Sequence, residues 1–231
     1  MGEGCGRAAA RMKEHILDLD REARTGVPEA VFASGKSVEQ LGSIVEDTIR
    51  AGRRLLVTRL DADKAAALAG FGDALRYDAA SRTAEVGPAG AVSAPLAVAV
   101  VAAGTSDMPV AREAVRSLAF FGEGALLVAD VGVAGLWRLL ERIEEVRRCR
   151  VVIAVAGMEG ALFSVLAGLV TAPVIAVPTS VGYGVAEGGR AALSSALAAC
   201  APGIVAVNID NGFGAAAAAV KILGAGRTAV A

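Results

Sequence analysis

Apolar and polar positions are distributed differently in the two halves of this 231-residue chain. In the second half, short runs with almost no charge recur at Leu96–Ala103, Ala125–Ala129, Val151–Ala156, Pro173–Val177 and Gly203–Val207, and they are rich in Val and Ile. Such runs, lacking alternation, are how strands buried on both faces read. Helix-period patterns lie between and after them, over Pro109–Phe121, Ala134–Arg147, Ala161–Val170, Glu187–Ala199 and Ala215–Leu223. Five βα units in alternation predict an α/β fold, a three-layer, doubly wound parallel sheet of the flavodoxin-like type. Ligands in such sheets bind beyond the carboxyl ends of the strands.

The first half is less regular. The pattern predicts a helix over about Arg7–Arg24, another over Ser37–Ala51, a strand near Leu55–Arg59 and a hairpin over Arg76–Val86. These suit a smaller N-terminal α/β domain over residues 1–90, ahead of a larger domain over 91–231. The segment Gly87-Pro88-Ala89-Gly90-Ala91-Val92-Ser93-Ala94-Pro95 has the composition of a linker between them.

Composition sharpens this division. The chain is 55% hydrophobic with a mean hydropathy of +0.55, yet 51 residues are alanine, so much of its apolar character is small side chains. Charge is concentrated at the front, with 27 charged side chains in residues 1–90 and 20 in residues 91–231. The net charge of −1 leaves no electrostatic footprint for nucleic acid. Disorder is excluded by the excess of apolar residues. Residues 160–186 form an uncharged stretch long enough in principle to cross a bilayer. Pro173 and Pro178, with β-branched residues between them, break it instead into helix, turn and strand, so no membrane span is expected. The N-terminus has no apolar leader, and Cys5, Cys149 and Cys200 read as cytosolic thiols, which places the chain in the cytoplasm. A single histidine, His15, disfavours a His-centred triad or a multi-histidine metal site.

Chemistry-bearing residues gather where strands end. After the first strand of the second half comes Gly104-Thr105-Ser106-Asp107, followed by Met108-Pro109. Free amides and two hydroxyls ahead of a helix suit an anion such as a phosphate, and an N-capped helix with proline at its start explains the same residues without a ligand. After Val151–Ala156 comes Gly157-Met158-Glu159-Gly160, and Glu159 is the only charge between Arg150 and Glu187. A lone carboxylate there suits an acid or base, or simply a solvated helix start. The loop Pro178–Gly184, with Tyr183, suits close ligand approach or loop flexibility. Cys200 follows the fourth of these helices and reads by default as a structural thiol. A helix that precedes a strand also ends at the edge opposite the ligand edge. Asn208-Ile209-Asp210-Asn211-Gly212 offers polar contacts to a nucleotide or a neighbouring subunit, or a simple turn.

Taken together and in order, Gly104–Asp107, Ala156–Gly160, Pro173–Pro178, Cys200-Ala201-Pro202-Gly203 and Val207–Gly214 resemble the LarB family of pyridinium-3,5-biscarboxylic acid mononucleotide synthases, which begin nickel-pincer cofactor biosynthesis for lactate racemase. Phe32–Ser37 extends the resemblance into the first half. The second half also resembles, more distantly, phosphoribosylaminoimidazole carboxylase. The resemblance implies carboxylation of nicotinic acid adenine dinucleotide at pyridinium C5 with CO2 or bicarbonate, and cleavage of its phosphoanhydride to release AMP. It implies Cys200 as a nucleophile adding at C4 and Glu159 as general base. Gly104, Thr105, Ser106, Asp107, Gly157, Tyr183, Asn208 and Asp210 would contact the nucleotide, a divalent cation such as Mg²⁺ would neutralise phosphate charge, and no metal ligands are assigned. Lys36 and Arg59 suggest themselves only by local likeness.

The purine carboxylase uses a histidine in the loop where this chain has Gly157–Phe163, so that activity is the alternative, with a non-catalytic nucleotide-binding subunit as a third. Both resembled families imply a homo-octamer. Alanine-rich Ala191–Ala199 and Ala215–Val220 are candidate surfaces for close packing between subunits.

Overall fold

A computed structural model describes residues 14–18, 20–94 and 96–225. Two sheets organise them. The first is built from β1 (Ala30–Phe32), β2 (Leu55–Thr58), β3 (Leu75–Asp78) and β4 (Thr83–Val86) in the order β1-β2-β4-β3. The β1–β2 pair is parallel, and β3–β4 is the hairpin expected over Arg76–Val86. Helix α2 (Val38–Arg50) starts on a capping box, in which Ser37 accepts from the Gln40 amide and Gln40 answers the Ser37 amide. It buries Leu41, Ile44 and Val45 against the sheet.

Part of the N-terminal expectation is corrected. Residues 7–13 and 19 of the expected first helix lie outside the described residues, as do Cys5 and Pro95. Residues 14–18 are not helical, and α1 is only Arg21–Thr25, with no buried residue to hold a longer helix. Its C-cap Gly26 is left-handed, and the Asp18 amide is drawn to Glu29 instead. Strand β1 and helix α3 (Ala62–Ala67) were not legible, since β1 has three residues and only Val31 is buried.

The second sheet is the doubly wound one. Its strands are β5 (Val98–Ala102), β6 (Ala125–Val128), β7 (Val151–Ala156), β8 (Val174–Pro178) and β9 (Ile204–Ala206), all parallel, in the order β6-β5-β7-β8-β9. That is the flavodoxin-like order, whose switch point lies between β5 and β7. Alternate strand residues feed two cores. Val98, Val100, Ile153 and Val177 pack under α4 (Met108–Phe120) and α8 (Gly212–Ala225). Val101, Val152, Ala154 and Ala176 pack under α5 (Leu136–Arg147), α6 (Ala161–Leu169) and α7 (Arg190–Leu197). Burial on both faces is why these strands read as unbroken apolar runs.

Two details differ from the sequence reading. The fourth helix begins at Arg190 rather than Glu187, because Gly188 and Gly189 are left-handed and a Cβ at Gly189 would meet the Thr179 carbonyl at 2.5 Å. Ala215, Ala216 and Ala219 are fully buried against α4 within the chain, as Ala192 is under the opposite face, so these four pack the chain's own core, while Leu197 and Ala198 on the first of the two segments stay exposed. A Cβ at Gly212 would meet the Val110 carbonyl at 2.5 Å, so α8 begins backbone to backbone with α4.

The uncharged stretch 160–186 divides into α6, a turn and β8, and among the described residues no helix is long and apolar enough to cross a membrane.

The first sheet docks on α4. Arg116 donates to the Thr83 hydroxyl at 2.8 Å and pairs with Glu85 at 3.3 Å. Arg54 donates to the Phe120 carbonyl and lies over its ring at 4.5 Å.

Candidate active site

Four loops converge at the carboxyl edge of the second sheet, two of them flanking the switch point. Strand β5 runs into Gly104 and a 3-10 turn over Thr105–Asp107. Strand β7 runs into Gly157-Met158-Glu159-Gly160, β8 into Thr179–Tyr183, and β9 into Asn208–Asn211. Backbone bonds stitch them together. The Thr179 amide donates to the Ala156 carbonyl, Met158 to Val181, and Asp210 to Pro178.

Asp107 is the hub of this edge. It is buried, and its carboxylate accepts the Gly104 amide at 2.9 Å, the Thr179 hydroxyl at 2.6 Å and the Gly157 amide. It precedes α4 without capping it, because its oxygens turn back toward the strand ends. Burial pushes its pKa above the ordinary carboxylate value, against the pull of those three donors. The same congestion explains Gly157, where a Cβ would sit 2.2 Å from the Val181 carbonyl.

The remaining residues picked out from sequence fall into three groups. Thr105, Ser106, Glu159, Tyr183 and Asn208 are exposed at this edge and available to a ligand. Asp210 accepts the Ser180 amide at 2.7 Å, with φ of +56°, so its carboxylate shapes the neighbouring loop. Cys200 is exposed and stands apart. It lies between α7 and β9, three residues before Gly203, whose carbonyl accepts the amide of Val174 at the start of β8. That is the amino edge of the sheet. At about 3.3 Å per residue, β8 alone separates the two edges by roughly 17 Å, so within one chain Cys200 and Glu159 do not meet.

Sequence reasoning missed Glu113 and Arg82, and it took Thr179 only as one of the hydroxyls of the Pro178–Gly184 loop. Glu113 is a buried carboxylate on α4 that accepts the amides of Gly212 and Phe213, the first residues of α8. Burial raises its pKa, with Arg59 opposing the shift. Its signal was a charge on the helical stripe that also carries Ala114, Ser117 and Leu118. Arg59, in the turn after β2, donates to the Asp210 carbonyl, so the first sheet reaches directly into this edge. A cleft of about 230 Å³ opens there between Arg59, Arg82, Ser106, Glu113, Ser180 and Asp210. Two larger hollows, of about 320 Å³ near Arg54 and Phe120 and about 490 Å³ near Phe32 and Lys36, lie away from the strand-end loops.

Residues 10–87 match the family described as "LarB/PurE-like N-terminal domain", and residues 97–231 match "AIR carboxylase". An uncharacterized protein of Methanocaldococcus jannaschii is 38% identical over 214 residues, covering 86% of this chain and 80% of that one. The N5-carboxyaminoimidazole ribonucleotide mutase of the same organism is 35% identical over 129 residues, covering 54% of this chain and 78% of the mutase. The crystal structure of a PurE2 variant from Treponema denticola superposes with a TM-score of 0.42 at 20% identity, over 56% of this chain and 89% of that one.

Proposed function

We propose that this chain, which belongs to the LarB family and carries an AIR carboxylase domain, carboxylates nicotinic acid adenine dinucleotide at pyridinium C5 and hydrolyses its phosphoanhydride, releasing AMP. Membership makes it an enzyme of the carboxylation type. The observation that supports the finer reading is that the strand-end stretch over residues 157–163 carries an exposed carboxylate, Glu159, and no histidine, in a chain that also presents an exposed thiol, Cys200.

The chemistry requires those two groups. A pyridinium ring is an electrophile and does not attack CO2. A thiolate adding at C4 makes a neutral dihydropyridine whose C5 is enamine-like and nucleophilic. C5 then bonds to CO2, leaving C5 with both a proton and the new carboxylate. Glu159 takes that proton, the C5–C6 double bond returns, and the C4–S bond breaks with its electron pair going back to sulfur. The ring is restored as a pyridinium with a second carboxylate. Thr105 and Ser106, beside a Gly104 amide that Asp107 already holds, are suited to the mononucleotide phosphate, with Tyr183 and Asn208 at the rim.

Since Cys200 and Glu159 occupy opposite edges of one sheet, the thiol in this scheme comes from a neighbouring copy in a homo-oligomer, an octamer by family likeness. Strand β9 supports this: among the described residues no strand pairs with its outer side, and Val205 within it and Leu197 on α7 are 51% and 71% exposed. Among the described residues no three His, Cys, Asp or Glu side chains cluster as a metal cage. A divalent cation such as Mg²⁺ needs no such cage, and in this scheme it would ride on the substrate phosphates and neutralise the phosphoanhydride charge.

The mutase relative favours a second reading, conversion of a carboxylated aminoimidazole ribonucleotide. It lacks support at the strand-end loops, because His15, the only histidine, sits in the first half bonded to Asp47. Labelled bicarbonate separates the two: incorporation into the dinucleotide, with AMP released, supports the proposal. Turnover of the aminoimidazole ribonucleotide with an inert dinucleotide supports the second reading and overturns the first.

A further inference from the structure

The cleft between the two sheets has an uneven supply of free groups. Its carboxylates are already committed, Glu113 to the first amides of α8 and Asp210 to the Ser180 amide. What faces the opening is cationic or hydroxylic: Arg59, Arg82, Ser106 and Ser180. Arg82 is exposed, and no ion pair engages it among the described residues.

Arg59 and Arg82 sit side by side, with the Leu60 amide donating to the Arg82 carbonyl at 2.8 Å. Both have left-handed backbones, with φ of 54° and 55°, a conformation that costs a residue bearing a Cβ and recurs at ligand clamps. The surroundings enforce it at Arg82. The Ser81 amide and hydroxyl both bond to the Asp78 carboxylate, the Ser81 and Thr83 hydroxyls lie 2.8 Å apart, and Thr83 is bonded by Arg116 of α4. A hairpin tip is thereby fixed against α4, with Arg82 lining the cleft and its charge also felt by Asp61.

We propose that Arg82, braced beside Arg59, is a second phosphate clamp that binds the adenylate phosphate of the dinucleotide while the other phosphate rests at the Gly104–Ser106 turn. This rests on the dinucleotide reading above. In the hydrolysis, a water oxygen bonds to one phosphorus, the bridging oxygen leaves with the other, and a proton goes to solvent. Arg82 offsets the charge that grows on the departing AMP. The N-terminal domain thus selects a dinucleotide over a mononucleotide.

The test is calorimetric titration of the full chain with nicotinic acid adenine dinucleotide, AMP and nicotinic acid mononucleotide, in the wild type, Arg82→Gly and Arg82→Lys. Glycine suits the left-handed backbone, so Arg82→Gly is expected to melt at or above the wild-type temperature. It is expected to bind the dinucleotide and AMP about tenfold more weakly or worse, since charge-assisted hydrogen bonds are lost. Mononucleotide affinity stays unchanged, and Arg82→Lys keeps part of the AMP affinity. If Arg82→Gly binds and turns over the dinucleotide like the wild type, or loses mononucleotide affinity equally, the clamp is overturned and the activity stands. A wild type that binds neither the dinucleotide nor AMP overturns both.

Discussion

The carboxylate of Asp107, after β5, accepts the hydroxyl of Thr179, after β8, at 2.6 Å with both residues buried. Strand β7 lies between those two strands, and its Gly157 amide joins the same carboxylate. One side chain thus ties together three strand ends around the switch point. Thr179→Val removes a charge-assisted bond and is expected to cost about 1–3 kcal/mol of unfolding free energy, read from urea denaturation. Asp107→Ala strands three donors and is expected to cost more. Equal stability in all three proteins would show the hub to be idle.

Gly157 has no room for a methyl group, its Cβ position being 2.2 Å from the Val181 carbonyl. Gly157→Ala is expected to push the Thr179–Val181 loop aside, destabilising the fold by about 1–3 kcal/mol and reducing carboxylation more steeply than substrate affinity. Steady-state kinetics beside thermal unfolding checks both parts, and wild-type kcat would refute the second.

Glu113 gives a pH prediction. Burial raises its folded-state pKa above the ordinary glutamate value, so the folded protein binds a proton more readily than the unfolded chain. The stabilisation from this group is therefore complete below the ordinary value, about pH 4.3, and is lost as pH rises through the raised folded value. Glu113→Gln does not titrate. The wild type is expected to gain stability relative to Glu113→Gln as pH falls from 7 through that window, measured by denaturant unfolding at several pH values. A difference independent of pH would contradict it.

Much of this architecture was legible beforehand, and the reasons are physical. Val151–Ala156 buries all six residues, and nothing but a two-sided strand explains so apolar a run beside glycine turns. The edge on which Cys200 falls also followed from connectivity. What stayed hidden depends on contacts between distant segments. Asp107 read as a helix cap because Thr179 lies 72 residues away, and Arg59 suggested itself only by local likeness and Arg82 not at all, because left-handed backbone leaves no mark on a non-glycine residue. Glu113 bonds to Gly212 across 99 residues. Only its place on an apolar stripe hinted at burial.

If neighbouring copies share the site, two inactive variants should complement. Mixing Cys200→Ala with Glu159→Gln after subunit exchange is expected to restore a minority of wild-type activity, from sites that pair an intact thiol with an intact carboxylate. Each variant alone should remain about 10²-fold or more below wild type. A mixture no more active than its components, or a monomer by light scattering at micromolar concentration, would contradict a shared site.

The covalent role of Cys200 is the centre of this account, and intact-protein mass spectrometry tests it directly. Wild type and Glu159→Gln are incubated with the dinucleotide and bicarbonate, quenched, and mapped by peptide. A nucleotide-derived mass is expected on the Cys200 peptide, accumulating in Glu159→Gln, where the proton at C5 has no acceptor, and absent in Cys200→Ala. Full carboxylation by Cys200→Ala, with no adduct on Cys200 in either of the other proteins, would contradict it.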